Sequence, residues 1–362
     1  MLRDLLNEKC IWEKLQDESR PIFLYGTGNG ADKILDVCES YSIKICGVFA
    51  SSTFVRNRMF RNMPVRSLDD IIAEFGNDIV VLLAFGTTLP DVIENINKIA
   101  ANHTLYIPEV PLYGDDLFDR SYMENHIDEI EKCYDVLTDE TSKLVFSNMI
   151  KFRYTADPKF LNEVQTPVDM YSSLIDRNKV SKVLDCGAYK GDSACDIIEA
   201  LSPDEIVCFE PDPKTFIKLS TYASEEKRCQ VIPMNFAAGD ECKTVEFSSS
   251  GSRGSGAEGK NKRAKTAEIT IKTIDSLNIS TFDLIKLDVE GDEEAALKGA
   301  VETLRNSRPA LSISVYHRTA HVFKLPLLIS EHYQDYNFHM RRVPCIPAWD
   351  ISFLAIPKEK AR

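Results

Sequence analysis

Three stretches of the 362-residue chain end an apolar run on an acid, the placement that puts a carboxylate at the tip of a β-strand. In the first, Val183-Leu184-Asp185-Cys186-Gly187-Ala188-Tyr189-Lys190-Gly191-Asp192-Ser193, the run delivers Asp185, and Gly187 and Gly191 let the backbone turn tightly into a helix against a bound ligand. A carboxylate there suits the ammonium end of a methionine moiety, whereas a phosphate would be met by backbone N–H groups and cations. The loop therefore favours S-adenosylmethionine over a mononucleotide. A glycine turn alone is more often structural, but about 20 residues on the next run ends Cys208-Phe209-Glu210-Pro211, and an acid at a second strand tip is the acceptor that a ribose diol requires. The runs Pro233-Met234-Asn235-Phe236-Ala237-Ala238-Gly239-Asp240 and Leu284-Ile285-Lys286-Leu287-Asp288-Val289-Glu290-Gly291-Asp292-Glu293 place further polar groups beside the same crevice. The expected cofactor-binding set is Asp185, Gly187, Ala188, Gly191, Asp192, Ser193, Glu210, Pro211, Asn235, Ala237 and Asp288.

These blocks, with Leu297-Lys298-Gly299-Ala300 and Pro309-Ala310-Leu311-Ser312-Ile313-Ser314-Val315-Tyr316-His317-Arg318, resemble the FkbM family of methyltransferases over residues 165–356. The chain departs from the family pattern after Tyr316-His317, where Thr319-Ala320-His321 replaces an acidic residue. The resemblance implies a class I methyltransferase-type sheet and methyl transfer from S-adenosylmethionine to a hydroxyl of a carbohydrate, sugar nucleotide or natural product. In-line displacement at a sulfonium methyl draws its rate mainly from orientation, with a base needed only for the hydroxyl proton. His317, at the tip of the fifth strand, is the expected base, because imidazole titrates near neutrality, and the rate should then fall below neutral pH. Asp288 and Glu290 are expected to place the acceptor. They are also rival bases, and together they could hold a divalent cation, although no metal is predicted. The competing reading is a nucleotide-sugar or dinucleotide-binding protein on a degenerate methyltransferase-like scaffold.

The elements that must position these groups form an alternating α/β series. Strands are expected at Lys182–Cys186, Glu205–Phe209, Gln230–Phe236, Phe282–Leu287 and Ala310–Tyr316, closed by Phe338–Val343 and Ser352–Ile356, which makes a seven-stranded doubly wound sheet in a domain of residues 169–362. The Gly/Ser-rich and then basic stretch 248–265 reads as a mobile loop between hairpin strands Thr244–Phe247 and Glu268–Thr273. Residues 114–168 read as a helical connector or cap.

Residues 1–113 read as a second, Rossmann-like domain with strands at Ile22–Tyr25, Ile43–Phe49, Ile79–Ala84 and Thr104–Ile107. The loop Gly26-Thr27-Gly28-Asn29-Gly30-Ala31 matches the dinucleotide fingerprint, but the second strand ends Val48-Phe49-Ala50-Ser51-Ser52 without the acid an NAD ribose needs, which disfavours redox chemistry. This part resembles small domains fused to sugar-modifying enzymes. Arg56, Arg58 and Arg61 could meet phosphates of a sugar nucleotide or form a solvated loop.

A net charge of −13 disfavours a nucleic-acid partner, and a small-molecule acceptor is expected. The ten cysteines contain no C-x-x-C pair and suit a reducing cytoplasm. The charged N-terminus does not read as a signal peptide, and the longest apolar run, Ile79–Phe85, is far short of the ~20 residues a membrane span needs.

Overall fold

The computed structural model describes residues 2–51, 58–164, 170–249, 265–279, 281–343, 345–347 and 350–362. It divides into two compact units, the first of Met1–Asp135, Lys143–Thr166 and Arg342–Asp350, the second of Val136–Ser142, Pro167–Arg341 and Ile351–Arg362. The helical stretch between the two sheets is thus shared, with Lys143–Thr166 in the first unit and Val136–Ser142 in the second.

In the first unit, α1 (Ile11–Gln16) precedes β1 (Ile22–Tyr25), α2 (Asn29–Ser40), β2 (Ile45–Phe49), β3 (Met59–Phe60), β4 (Met63–Arg66), α3 (Leu68–Phe75), β5 (Val80–Leu83), α4 (Pro90–Asn102) and β6 (Thr104–Tyr106). The sheet order is β3-β4-β2-β1-β5-β6. Every residue of β1 and β5 is buried, as expected of central parallel strands covered on both faces. The β3–β4 hairpin was not expected from the sequence. Its strands are too short to show a period, and its two-residue turn rests on Arg61 and Asn62, both at positive φ (43° and 65°), which is the turn geometry that matches strand twist. Helices α5 (Arg120–Val136), α6 (Glu140–Thr155) and α7 (Lys159–Asn162) follow.

The second unit runs β7 (Lys182–Cys186), α8 (Asp192–Leu201), β8 (Glu205–Phe209), α9 (Pro213–Glu225), β9 (Gln230–Met234), β10 (Ala237–Ala238), β11 (Lys243–Ser249), β12 (Lys265–Lys272), β13 (Leu284–Leu287), α10 (Glu293–Lys298), α11 (Val301–Ser307), β14 (Ala310–Ser314), α12 (His321–His332), β15 (Tyr336–Arg342) and β16 (Ile351–Pro357). The seven-stranded sheet has the order β15-β16-β14-β13-β7-β8-β9. Its order reverses between β7 and β13, both parallel to their neighbours, and β16 returns antiparallel beside β14. That reversal is the switch point where ligands sit in doubly wound sheets. The sheet is the class I methyltransferase architecture expected from the sequence.

The third expected strand is shorter than read. It stops at Met234, and Ala237–Ala238 instead pairs parallel with β12 in a separate three-stranded sheet completed by β11. The expected β11–β12 hairpin is present, and the stretch 250–264 between its strands lies outside the described residues. Among the described residues, no helix is long and apolar enough to cross a membrane.

Candidate active site

The register of the central strands sets the site. Lys286 of β13 stands opposite Asp185 of β7 on one side and Ser312 of β14 on the other, so a polar row crosses an otherwise apolar sheet. Asp185 is fully buried, and both of its oxygens are engaged: Ser193 Oγ donates to Oδ2 at 2.6 Å, and Lys286 Nζ donates to Oδ1 at 3.0 Å. Buried charges persist when paired and hydrogen-bonded. Burial would depress the lysine, but Asp185, then Asp288 and Tyr171, more than offset it and hold the ammonium firmly protonated. The expectation that Asp185 offers a carboxylate to a ligand's ammonium does not match this geometry. The acid ties β7 to the start of α8 through Ser193, which is likewise turned inward.

The loop between them is built by sterics. Gly187 (φ +84°) and Gly191 (φ +98°) adopt left-handed backbone, and a Cβ on Gly187 would overlap the carbonyl oxygen of Asp288, while one on Gly191 would overlap the Tyr222 ring. The N–H groups of Gly187 and Ala188 both donate to Phe209 O, at 3.0 and 2.9 Å, locking the tips of β7 and β8 together. Asp192 begins α8.

Glu210 follows β8, buried, with Oε1 accepting from the Asp212 N–H at 2.8 Å. Burial raises its carboxyl to about 7, against the opposing pull of that N–H. Asn235 Nδ2 donates to Glu210 O at 2.8 Å and Pro211 O at 3.1 Å, so it fixes the Glu210-Pro211 turn from the third strand tip. Ala237 lies in β10.

At the other side of the switch point, Asp288 is a third exposed and receives the Tyr316 hydroxyl at 3.4 Å. His317 is buried. Its Nε2 lies 3.5 Å from Asp288 Oδ1 and 3.7 Å from Glu290 Oε2, and its Nδ1 lies 2.7 Å from Glu293 Oε1. The three residues named from the sequence for the acceptor side, His317, Asp288 and Glu290, are therefore together. Burial would push the imidazole down, but Glu293, with Asp288 and Glu290 behind it, holds it up at about 9. Lys286, Glu293, His321 and Tyr316 were not singled out by sequence reasoning. A lysine inside the apolar run Leu284-Ile285-Lys286-Leu287 was the available signal for the first. Asp288, Glu293 and His317 also bring one potential metal-ligand atom each within 4.8 Å of one another, although Glu293 Oε1 already accepts from His317 and two backbone N–H groups.

Of the arginines in the first unit expected to meet phosphates, Arg61 donates to Asp32 and Asp36, both at 2.6 Å, Arg58 is exposed, and Arg56 lies outside the described residues.

Residues 185–340 match the model of the methyltransferase FkbM domain. The chain is 28% identical over 153 residues to hexuronic acid methyltransferase AglP of Haloferax volcanii, an alignment that covers 40% of this chain and 61% of that relative. Its fold is similar to that of the crystal structure of methyltransferase FkbM from Methylobacillus flagellatus KT, with TM-score 0.67 at 19% identity, covering 98% of this chain and 92% of that one.

Proposed function

We propose that the chain, whose residues 185–340 match the model of the methyltransferase FkbM domain, is an S-adenosylmethionine-dependent methyltransferase that methylates a hydroxyl of a carbohydrate or sugar-nucleotide acceptor. The observation that carries this reading is the position of Asp288. Its carbonyl packs against Gly187 of the loop after β7, and its carboxylate lies 3.5 Å from His317 Nε2. One residue thus joins a cofactor-type loop to a proton-accepting group.

The residues fit the cofactor by their chemistry. Glu210 at the second strand tip offers a buried acceptor to the ribose diol, with the Glu210-Pro211 turn held in place by Asn235 and with Ala237 expected to border the cofactor. Gly187, Ala188, Gly191 and Asp192 form the turn that lies along it, with Asp185 and Ser193 behind the turn and Asp288 as the carboxylate open to its cationic end. When bound, the cofactor supplies an electrophilic methyl group. On the protein side, Asp288 and Glu290 hold the acceptor hydroxyl, and His317 Nε2 takes its proton. The carbohydrate class draws on the hexuronic acid named for the AglP relative.

Because the imidazole is held at about 9, only about 1 molecule in 100 carries a neutral His317 at pH 7 before ligands bind. A cationic cofactor nearby lowers that pKa. Turnover should therefore rise with pH to a limb at or below about 9, higher than an unperturbed histidine would place it. His317→Ala should lower turnover about 10²–10⁴-fold and abolish the limb while S-adenosylhomocysteine affinity holds. Turnover of His317→Ala within a few-fold of the parent would remove the imidazole from the mechanism.

A further inference from the structure

We propose that Glu293 is the positioning residue of the acceptor side, turning His317 so that Nε2 is the nitrogen presented to Asp288 and Glu290 and holding the loop that carries Glu290. The proposal rests on the reading of His317 as proton acceptor.

Glu293 opens α10 and is wholly buried, yet it faces the site and not the apolar core. Its Oε1 lies 2.7 Å from His317 Nδ1 and accepts the backbone N–H groups of Val289 at 3.0 Å and Gly291 at 3.4 Å, while Oε2 lies 3.1 Å from His321 Nδ1. Burial opposes ionisation, but His317 and His321 overcome it and hold the carboxyl well below the usual carboxylate range. An ionised carboxylate only accepts, so His317 Nδ1 must carry the proton, and Nε2 is the nitrogen left to exchange one. The two backbone bonds do the second task. Glu290 (φ 56°) and Gly291 (φ 104°) form a left-handed turn directly after the strand tip, and Glu293 clasps the N–H groups on either side of Glu290. Arg318 Nε secures the same turn at Gly291 O, 2.8 Å away. The Tyr316 ring packs on the imidazole with centroids 4.2 Å apart, which limits its rotation. The spacing Asp288-Val289-Glu290-Gly291-Asp292-Glu293 is then explained: Asp288 and Glu290 point to the acceptor, and Glu293, three residues after Glu290, points back to set the base.

Two measurements on the full chain test this. Nitrogen NMR of ¹⁵N-histidine-labelled protein above pH 9, with His317→Ala identifying the signal, should show His317 protonated on Nδ1; an Nε2-protonated ring overturns the proposal. Turnover is then followed with S-adenosylmethionine and a p-nitrophenyl glucuronide as acceptor. Glu293→Gln should lower kcat about 10²–10⁴-fold, change S-adenosylhomocysteine Kd by less than about threefold, and add nothing in the double variant with His317→Ala. Losses that multiply in the double variant overturn the proposal, because they show Glu293 acting independently of the imidazole. If His317→Ala alone costs nothing, the base assignment fails instead, and the nitrogen spectrum still decides whether Glu293 sets the ring.

Discussion

The two units each carry a glycine loop between a buried parallel strand and a helix, and the loops differ in what surrounds them. In the first, Gly26 takes φ +121° and a Cβ on Gly30 would lie 2.6 Å from Ala84 O, so both glycines answer to packing. The second strand offers no acid. Two of the nearby polar side chains are already engaged: Tyr25 OH meets Ser51 Oγ at 2.8 Å, and Lys33 Nζ donates to Pro111 O and Leu112 O at 2.6 and 2.8 Å. In the second unit the corresponding strand-to-helix turn is ringed by Asp185, Glu210, Lys286 and Asp288, with His317 beyond. A glycine pattern reports close backbone approach in both places, and only the charged groups on the neighbouring strand tips separate a chemical site from a packing solution.

The largest test of that difference is Gly187→Ala. Its side chain would overlap Asp288 O, which is backbone and cannot swing away, and would sit at a φ of +84°. Stability should fall by more than about 4 kcal/mol, or a folded remnant should show no measurable S-adenosylmethionine binding by calorimetry. A folded variant with parental affinity would mean that the β7 and β13 tips do not meet as described.

Lys286→Met comes next. It leaves fully buried Asp185 without its cation, keeping only the Ser193 hydroxyl, and should cost about 3–5 kcal/mol in denaturant unfolding. Adding Asp185→Asn should recover part of the loss, since the uncompensated charge goes with it. A cost below about 1 kcal/mol for the single variant would show that another group neutralises Asp185.

How far the sequence carries follows from the range of each interaction. Apolar runs ending on an acid are local, so the seven strands of the large sheet, their order of appearance and the acids at their tips were readable. The partner of Asp185 lies 101 residues away and that of His317 lies 24 away, and both pairs exist only because of sheet register and loop path. Asp185 was accordingly read as facing a ligand when it faces Lys286. The shift of His317 to about 9 could not be read either, because it depends on three carboxylates converging on a buried ring. Strands β3 and β10 have two residues each, too few for any periodicity to show.

The smallest effect is expected at Gly28, the central glycine of the first loop. It caps α2 with φ −95° and ψ −169°, extended backbone that any residue adopts, and a Cβ there would meet nothing within 4 Å. Serine is preferred over glycine at such a cap by a few tenths of a kcal/mol because its oxygen accepts a free helix N–H, and losing a glycine also restricts the unfolded chain. Gly28→Ser should therefore leave stability unchanged or raise it by up to about 1 kcal/mol. Cofactor affinity and turnover should stay at parental values, since the two glycine loops belong to separate sheets. The variant also probes whether the open space over Gly28 serves a ligand, because a hydroxymethyl group would occupy it. A rise in acceptor KM with stability intact would make the first loop a substrate site, and the contrast between the loops would then be one of ligand and no longer one of chemistry against packing.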